Sequence, residues 1–117
     1  MAGNRPHRIA AAMTLFMLAS SLTMAQVMAA GRDMLVDRGR TLAGRLCSSC
    51  HAIGRQGPSP QIGAPPFRDL GRRVDFETLC DRLAEGLVSG HPAMPVFRFT
   101  WRDRRAFIAY LKSVQTR

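Results

Sequence analysis

The amino-acid sequence predicts an all-α fold, three main helices joined by long loops rich in proline and glycine. Three observations lead there. Apolar residues recur at three- and four-residue steps in three separate stretches, the spacing of one helix face. The segments between them are dense enough in proline and glycine to exclude regular helix and central strand. No strand–turn–strand pattern occurs, since Val96–Phe99 alternates over too few residues to read as a strand.

Residues 1–29 read as a secretory signal peptide. Arg5 and Arg8 give a basic start free of acid, "IAAAMTLFMLASSLTMAQVMAA" an apolar centre, and Thr23–Ala25 and Val27–Ala29 two small-residue exits. Residues 30–117 then form the folded domain. The alternative is an anchor retained over residues 9–30, a run long enough to span a bilayer. Ser20, Ser21, Thr23 and Gln26 in its second half weaken that reading. A domain of roughly ninety residues buries only about 60–65% of its unfolded surface, so it needs a staple: a metal, a disulfide or a large apolar cofactor.

The chain carries 17 Lys+Arg against 8 Asp+Glu, a formal charge of +9, with the folded part's share spread from Arg32 to Arg117. Distributed basic charge suits docking to acidic protein surfaces, or weak association with anionic lipid heads. Nucleic-acid binding is set aside, because an exported chain without a basic tract interleaved with aromatics lacks its signature.

The first helix is expected over about Asp33–Leu46, with Asp33 as N-cap and Leu35, Leu42 and Leu46 as its apolar stripe. The second is expected from Phe76 to about Val88, capped by Asp75, with Phe76, Leu79, Cys80, Leu83 and Leu87 on one face. The third follows Thr100 and runs to about Gln115, its face formed by Phe107, Tyr110, Leu111 and Val114. Thr100-x-x-Asp103 resembles a capping box with Asp in place of Glu. Between the first two helices, Gly54–Gly71 holds four prolines and four glycines. Such a loop is longer than a compact domain tolerates without something to wrap around. The second loop, "SGHPAMPVFRF", brackets Met94 between Pro92 and Pro95.

The chemistry concentrates in "LCSSCHAIG", where Cys47, Cys50 and His51 crowd together. Zinc requires four ligands, yet beyond this motif residues 30–117 offer only Cys80 and His91, unpaired. A thioredoxin-like exchange pair expects a strand before it and a helix after it; this pair follows a helix and leads into a Pro/Gly loop. Cys-x-x-Cys-His in an exported chain is the attachment signature of c-type haem. Two thiols on one turn add to the two haem vinyl groups, and the adjacent His51 imidazole meets the iron from the same side. Met94 presents its thioether to the other side, and soft sulfur favours ferrous iron and raises the reduction potential. His91, the competing ligand, reads as a surface residue. Cys80 reads as an inert buried thiol from its helical phase with Leu79 and Leu83. Trp101 is expected to pack at the start of the last helix. Arg55, Arg68, Arg72 and Arg73 carry no individual role.

With these residues in place, the chain resembles the class I monohaem cytochromes c, in particular the short periplasmic ones of bacteria, over about Val36–Val114. The family has a glycine two helical turns before the first haem cysteine, matched by Gly39. It closes on an "IAYLK"-type segment, which Ile108–Lys112 reproduces. The resemblance implies that the first and last helices cross closely at Gly39 and Tyr110. It also implies that a proline carbonyl, best matched by Pro65 with Pro66 as the neighbour, receives the other nitrogen of His51. Ala43 departs from the pattern, since many members carry an aromatic there.

The reading that follows is a small cytochrome c-like fold around one covalent haem c. Cys47 and Cys50 supply the thioethers, His51 and Met94 the axial ligands, and Pro65 a supporting carbonyl. Its expected function is that of a periplasmic one-electron carrier and not an enzyme, with redox proteins as donors and acceptors. The alternative is a cytochrome subunit bound permanently to a dehydrogenase or oxidase. Two further readings have distinct requirements. A five-coordinate haem handling peroxide or a diatomic gas needs Met94 off the iron, and a thiol–disulfide oxidoreductase needs no haem.

Overall fold

The computed structural model describes residues 5–87, 90 and 92–116, with side chains from Thr23 onward. Two compact units divide the chain, Met1–Arg32 and Asp33–Arg117. The elements are α1 (Arg5–Leu46), a 3₁₀ turn (Phe67–Arg72), α2 (Phe76–Glu85) and α3 (Trp101–Val114). Among the described residues there is no strand, only one isolated antiparallel bridge between Leu87 and Phe97. The chain is all-α, as its periodicity predicts.

Helix α1 departs from expectation at both its start and its stripe. Asp33 is not an N-cap, because the helix runs straight through it. The preceding Ala-, Met- and Leu-rich residues are strong helix formers, and Gly31 alone costs only about 1 kcal/mol. Leu46, expected on the buried stripe, is 37% exposed, and the buried residues are Gly39 and Ala43, with Val36 and Leu42 half-buried beside them. The face is therefore lined by small residues, which a stripe of large hydrophobics does not reveal.

Small residues are needed because α3 crosses there. A Cβ built on Gly39 would lie 2.1 Å from the Ala106 carbonyl oxygen and 2.6 Å from Tyr110 Cβ. The crossing implied for Gly39 and Tyr110 is thus a backbone-to-backbone approach. From α3 the core receives Phe107, Ile108, Tyr110, Leu111 and Val114, and from α2 Leu79 and Leu83. Leu83 and Leu111 are completely enclosed, each contributing roughly 1.5–3 kcal/mol by burial.

Caps set the limits of α2 and α3. Asp75 accepts from the Thr78 N–H at 2.8 Å, satisfying an orphan donor of the first turn. The helix ends at Glu85, short of the expected Val88, because Gly86 adopts φ 109° and donates its N–H to the Arg82 carbonyl. Leu87 consequently leaves the helix face and pairs with Phe97; Val88 lies outside the described residues. The Pro/Gly loop also contains more order than expected. Pro66 at φ −66° leads into the 3₁₀ turn, a geometry tolerated over a few residues.

At α3, the Thr100 hydroxyl accepts from the Asp103 N–H at 3.2 Å and donates to the Asp103 carboxylate at 2.8 Å. Asp103 also pairs with Arg38 of α1, at 2.6 and 2.9 Å. The Thr100 hydroxyl first, and Arg38 second, hold the Asp103 carboxyl below its ordinary value. A depressed folded-state pKa adds stability above the unfolded carboxylate pKa of about 4, which is lost as pH falls through the folded value. Asp103→Asn should therefore lower the urea midpoint at pH 7, by an amount worth under about 1 kcal/mol for so exposed a pair. The gap to wild type should close on acidification below about pH 4; a gap constant with pH would assign the loss to packing instead.

Candidate functional site

The motif residues sit where α1 runs out. Cys47 N–H still bonds the Ala43 carbonyl at 2.9 Å, and one further turn follows, with Cys50 N–H and His51 N–H both reaching the Cys47 carbonyl at 3.1 and 2.8 Å. Cys47 and Cys50 thus share a single turn with His51 at its end. Both thiols are free and half-buried.

The Pro/Gly loop then closes over this turn. Gln61 N–H donates to the Cys50 carbonyl at 3.1 Å, and Phe67 N–H to the Ala52 carbonyl at 2.9 Å. Ala52 N–H donates to the Ser59 hydroxyl at 3.0 Å. His51 Nδ1 lies 2.8 Å from the Pro65 carbonyl oxygen. Since a carbonyl only accepts, the proton of the neutral imidazole sits on Nδ1 and Nε2 keeps a lone pair for a metal. The long loop therefore wraps the Cys50–Ala52 backbone itself, and of the two candidate prolines Pro65 makes the bond.

From the other side α3 holds the segment after the histidine. Tyr110 hydroxyl donates to the Ile53 carbonyl at 3.0 Å, and Arg55 donates to the Ser113 carbonyl at 2.7 Å. Gln115 ties the end of α3 to the 3₁₀ turn, donating to Phe67 O at 2.8 Å and accepting from Gly71 N–H at 2.8 Å. Phe67, buried under His51, has its ring centroid 5.4 Å from the imidazole. Sequence reasoning missed Ser59, Phe67 and Gln115, whose roles depend on partners seven to forty-eight residues away. Only the Pro-Ser-Pro stiffening around Ser59 hinted at a fixed backbone.

Met94 is half-buried, between exposed Pro92 and Pro95. Its loop is pinned at the base by Leu87 N–H to Phe97 O at 3.2 Å and Phe99 N–H to Leu83 O at 2.8 Å. His91, the competing ligand, lies outside the described residues. Cys80 packs half-buried against the core. Trp101 opens α3 as expected; it is 58% exposed and packs against the Arg105 guanidinium, which covers its ring at 4.6 Å. Arg68 donates to Gly57 O at 2.8 Å, and Arg72 pairs with Asp69, so both brace the loop.

The donor set separates the chemistries. Among the described residues no three His, Cys, Asp or Glu side chains converge on a point where a bare metal ion would sit. Burial, and secondarily the neighbouring Cys50, push the Cys47 thiol up to about 11. A thiol that stays protonated at neutral pH is a poor exchange nucleophile. Two thiols free of a disulfide on one turn, beside an imidazole whose Nε2 has no hydrogen bond to the described residues, fit a haem held through its edge and its iron. Cys47 and Cys50 would hold the macrocycle and His51 the iron.

Neither a family model nor a solved structure matches the chain. A curated relative does: cytochrome c-552 of Bradyrhizobium diazoefficiens, 32% identical over 77 residues, which span 66% of this chain and 72% of the relative. With the Cys47–His51 turn and its wrapped loop, this similarity establishes that the chain belongs to the c-type cytochromes.

Proposed function

We propose that this chain is an exported one-electron carrier with one covalent haem c. Cys47 and Cys50 form its thioethers, and His51 and Met94 are its axial ligands. Bound haem supplies the redox couple; the chain's residues orient, shield and tune it. The observation that carries the reading is the 2.8 Å contact from His51 Nδ1 to the Pro65 carbonyl, which presents Nε2 and orients the ring. A carrier works best when its ligands do not move between oxidation states. The pinned loop around Met94 and the wrapped turn at His51 both serve that need. Export follows from the basic and apolar leader, with cleavage after about residue 29. Cleavage would leave Asp33 in the first turn of α1, where a carboxylate suits the helix dipole. Among the described residues no helix is long and apolar enough to cross a membrane. Redox proteins with acidic docking surfaces are the partners that a basic carrier would meet.

Optical spectra of the protein produced in a periplasm with haem-attachment machinery test this. Haem that survives denaturation, with a weak far-red sulfur-to-iron band in the ferric form, is the expected result. Attached haem without that band would remove Met94 from the iron, and no attached haem would overturn the reading as a whole.

A further inference from the structure

A hydrogen bond to one nitrogen does not fix the plane of an imidazole. The angular preference at a carbonyl oxygen is broad, so His51 can swing while keeping its bond to Pro65. A second contact is needed to set the rotation of the ring, and the Phe67 ring, 5.4 Å away, provides one. We infer that Phe67 is a positioning residue that sets the rotation of the His51 imidazole plane and, through it, the ligand orientation seen by the haem iron. This rests on the reading of His51 as an axial ligand.

Phe67 is held at every point where it could yield. Its N–H bonds the Ala52 carbonyl at 2.9 Å, the residue directly after the histidine. Its carbonyl accepts from Gln115 at 2.8 Å. Its ring is 3% exposed as a residue and lies 5.4 Å from the His51 ring, inclined at 45°. Behind it the Phe107 ring stands edge-on at 5.7 Å and 87°, and Phe99 stands edge-on to Phe107 at 5.3 Å and 90°. Edge-to-face packing of this kind fixes ring orientation, since the positive edge of one ring seeks the negative face of the next. The column therefore runs from the base of the Met94 loop, where Phe99 is tied to Leu83, to the histidine. Its last member presses on the imidazole, and no other aromatic ring contacts His51 among the described residues. Contacts made behind a metal-bound histidine orient its ring and tune the metal.

The test uses ferric holoprotein, whose four haem ring-methyl proton resonances spread according to the rotation of the axial imidazole plane. Phe67→Leu should change their order or spacing, and Phe67→Met, which keeps more of the volume, should do the same if the leucine variant folds poorly. Val114→Ala, a truncation in the same core that brings no ring to His51, should lower the thermal midpoint and leave the methyl pattern alone. Wild-type methyl patterns in the Phe67 variants would overturn the inference and make Phe67 core packing only. So would an equal change in all three variants. Wild-type protein without covalent haem would overturn the c-type reading beneath it, an outcome distinct from either.

Discussion

Gly39→Ala is expected to destabilise the domain by about 3 kcal/mol or more, the upper end for overpacking a core. The added Cβ meets backbone: the Ala106 carbonyl oxygen at 2.1 Å and carbon at 2.7 Å, besides Tyr110 Cβ at 2.6 Å. No rotamer change relieves that clash, so α1 and α3 must separate. Separation has a second cost, because Tyr110 sits at the crossing and reaches Ile53 beside the haem turn. Small domains hold only about 5 kcal/mol in reserve, so holoprotein yield should collapse with stability. Gly44→Ala is the control. It occupies the same helix with nothing within 4 Å of its added Cβ, and there alanine should stabilise by about 0.5–1 kcal/mol through helix propensity. Thermal midpoints of the two variants should move in opposite directions. A Gly39→Ala protein as stable as wild type would show that the helices are not in backbone contact.

Replacing Met94 with alanine should lower the reduction potential by on the order of 0.2 V, a fraction of the roughly 0.8 V that axial ligation spans. With Met94 as the proposed axial ligand, loss of the thioether would remove the sulfur that favours ferrous iron. The variant should also bind carbon monoxide readily, whereas wild type should not. The fold should survive, because Met94 lies outside the buried core and the base of its loop is closed by Leu87, Phe97, Phe99 and Leu83 backbone bonds. Voltammetry of the holoprotein reads the first effect and a carbon monoxide difference spectrum the second. An unchanged potential would take Met94 off the iron and bring forward His91 or an open coordination position.

These two variants probe different layers of what the chain encodes. The Cys47–His51 turn is legible as residue types at fixed spacing, because its chemistry is local, whereas the histidine's proline partner came only from the family resemblance, which left Pro65 and Pro66 open until the 2.8 Å contact to the Pro65 carbonyl. The three helical segments and the caps at Asp75 and Thr100 are legible too, since an amphipathic period and an N-cap are properties of a short window. The end of α2 was misread because Leu83 and Leu87 keep the period while Gly86 breaks the backbone at φ 109°. Helix α1 was misread because its closest contact is made by residues that carry no apolar side chain to count.

The residues alone are enough to read an all-helical chain with a c-type haem motif, because helical periodicity and the Cys-x-x-Cys-His spacing are properties of short windows. What presses on that motif emerges once the chain is folded. Ser59, Gln61 and Phe67 close on the Cys50–Ala52 backbone, Tyr110 of α3 bonds the Ile53 carbonyl just after it, Arg55 reaches from that segment to the Ser113 carbonyl of α3, and Phe67 lies beneath the imidazole. These contacts join segments far apart along the chain, and nothing in either segment alone announces the other. The physical reason is that backbone carbonyls and N–H groups are present at every residue. Which of them meet is settled by how the helices pack and the loop folds back, not by which side chains the loop carries.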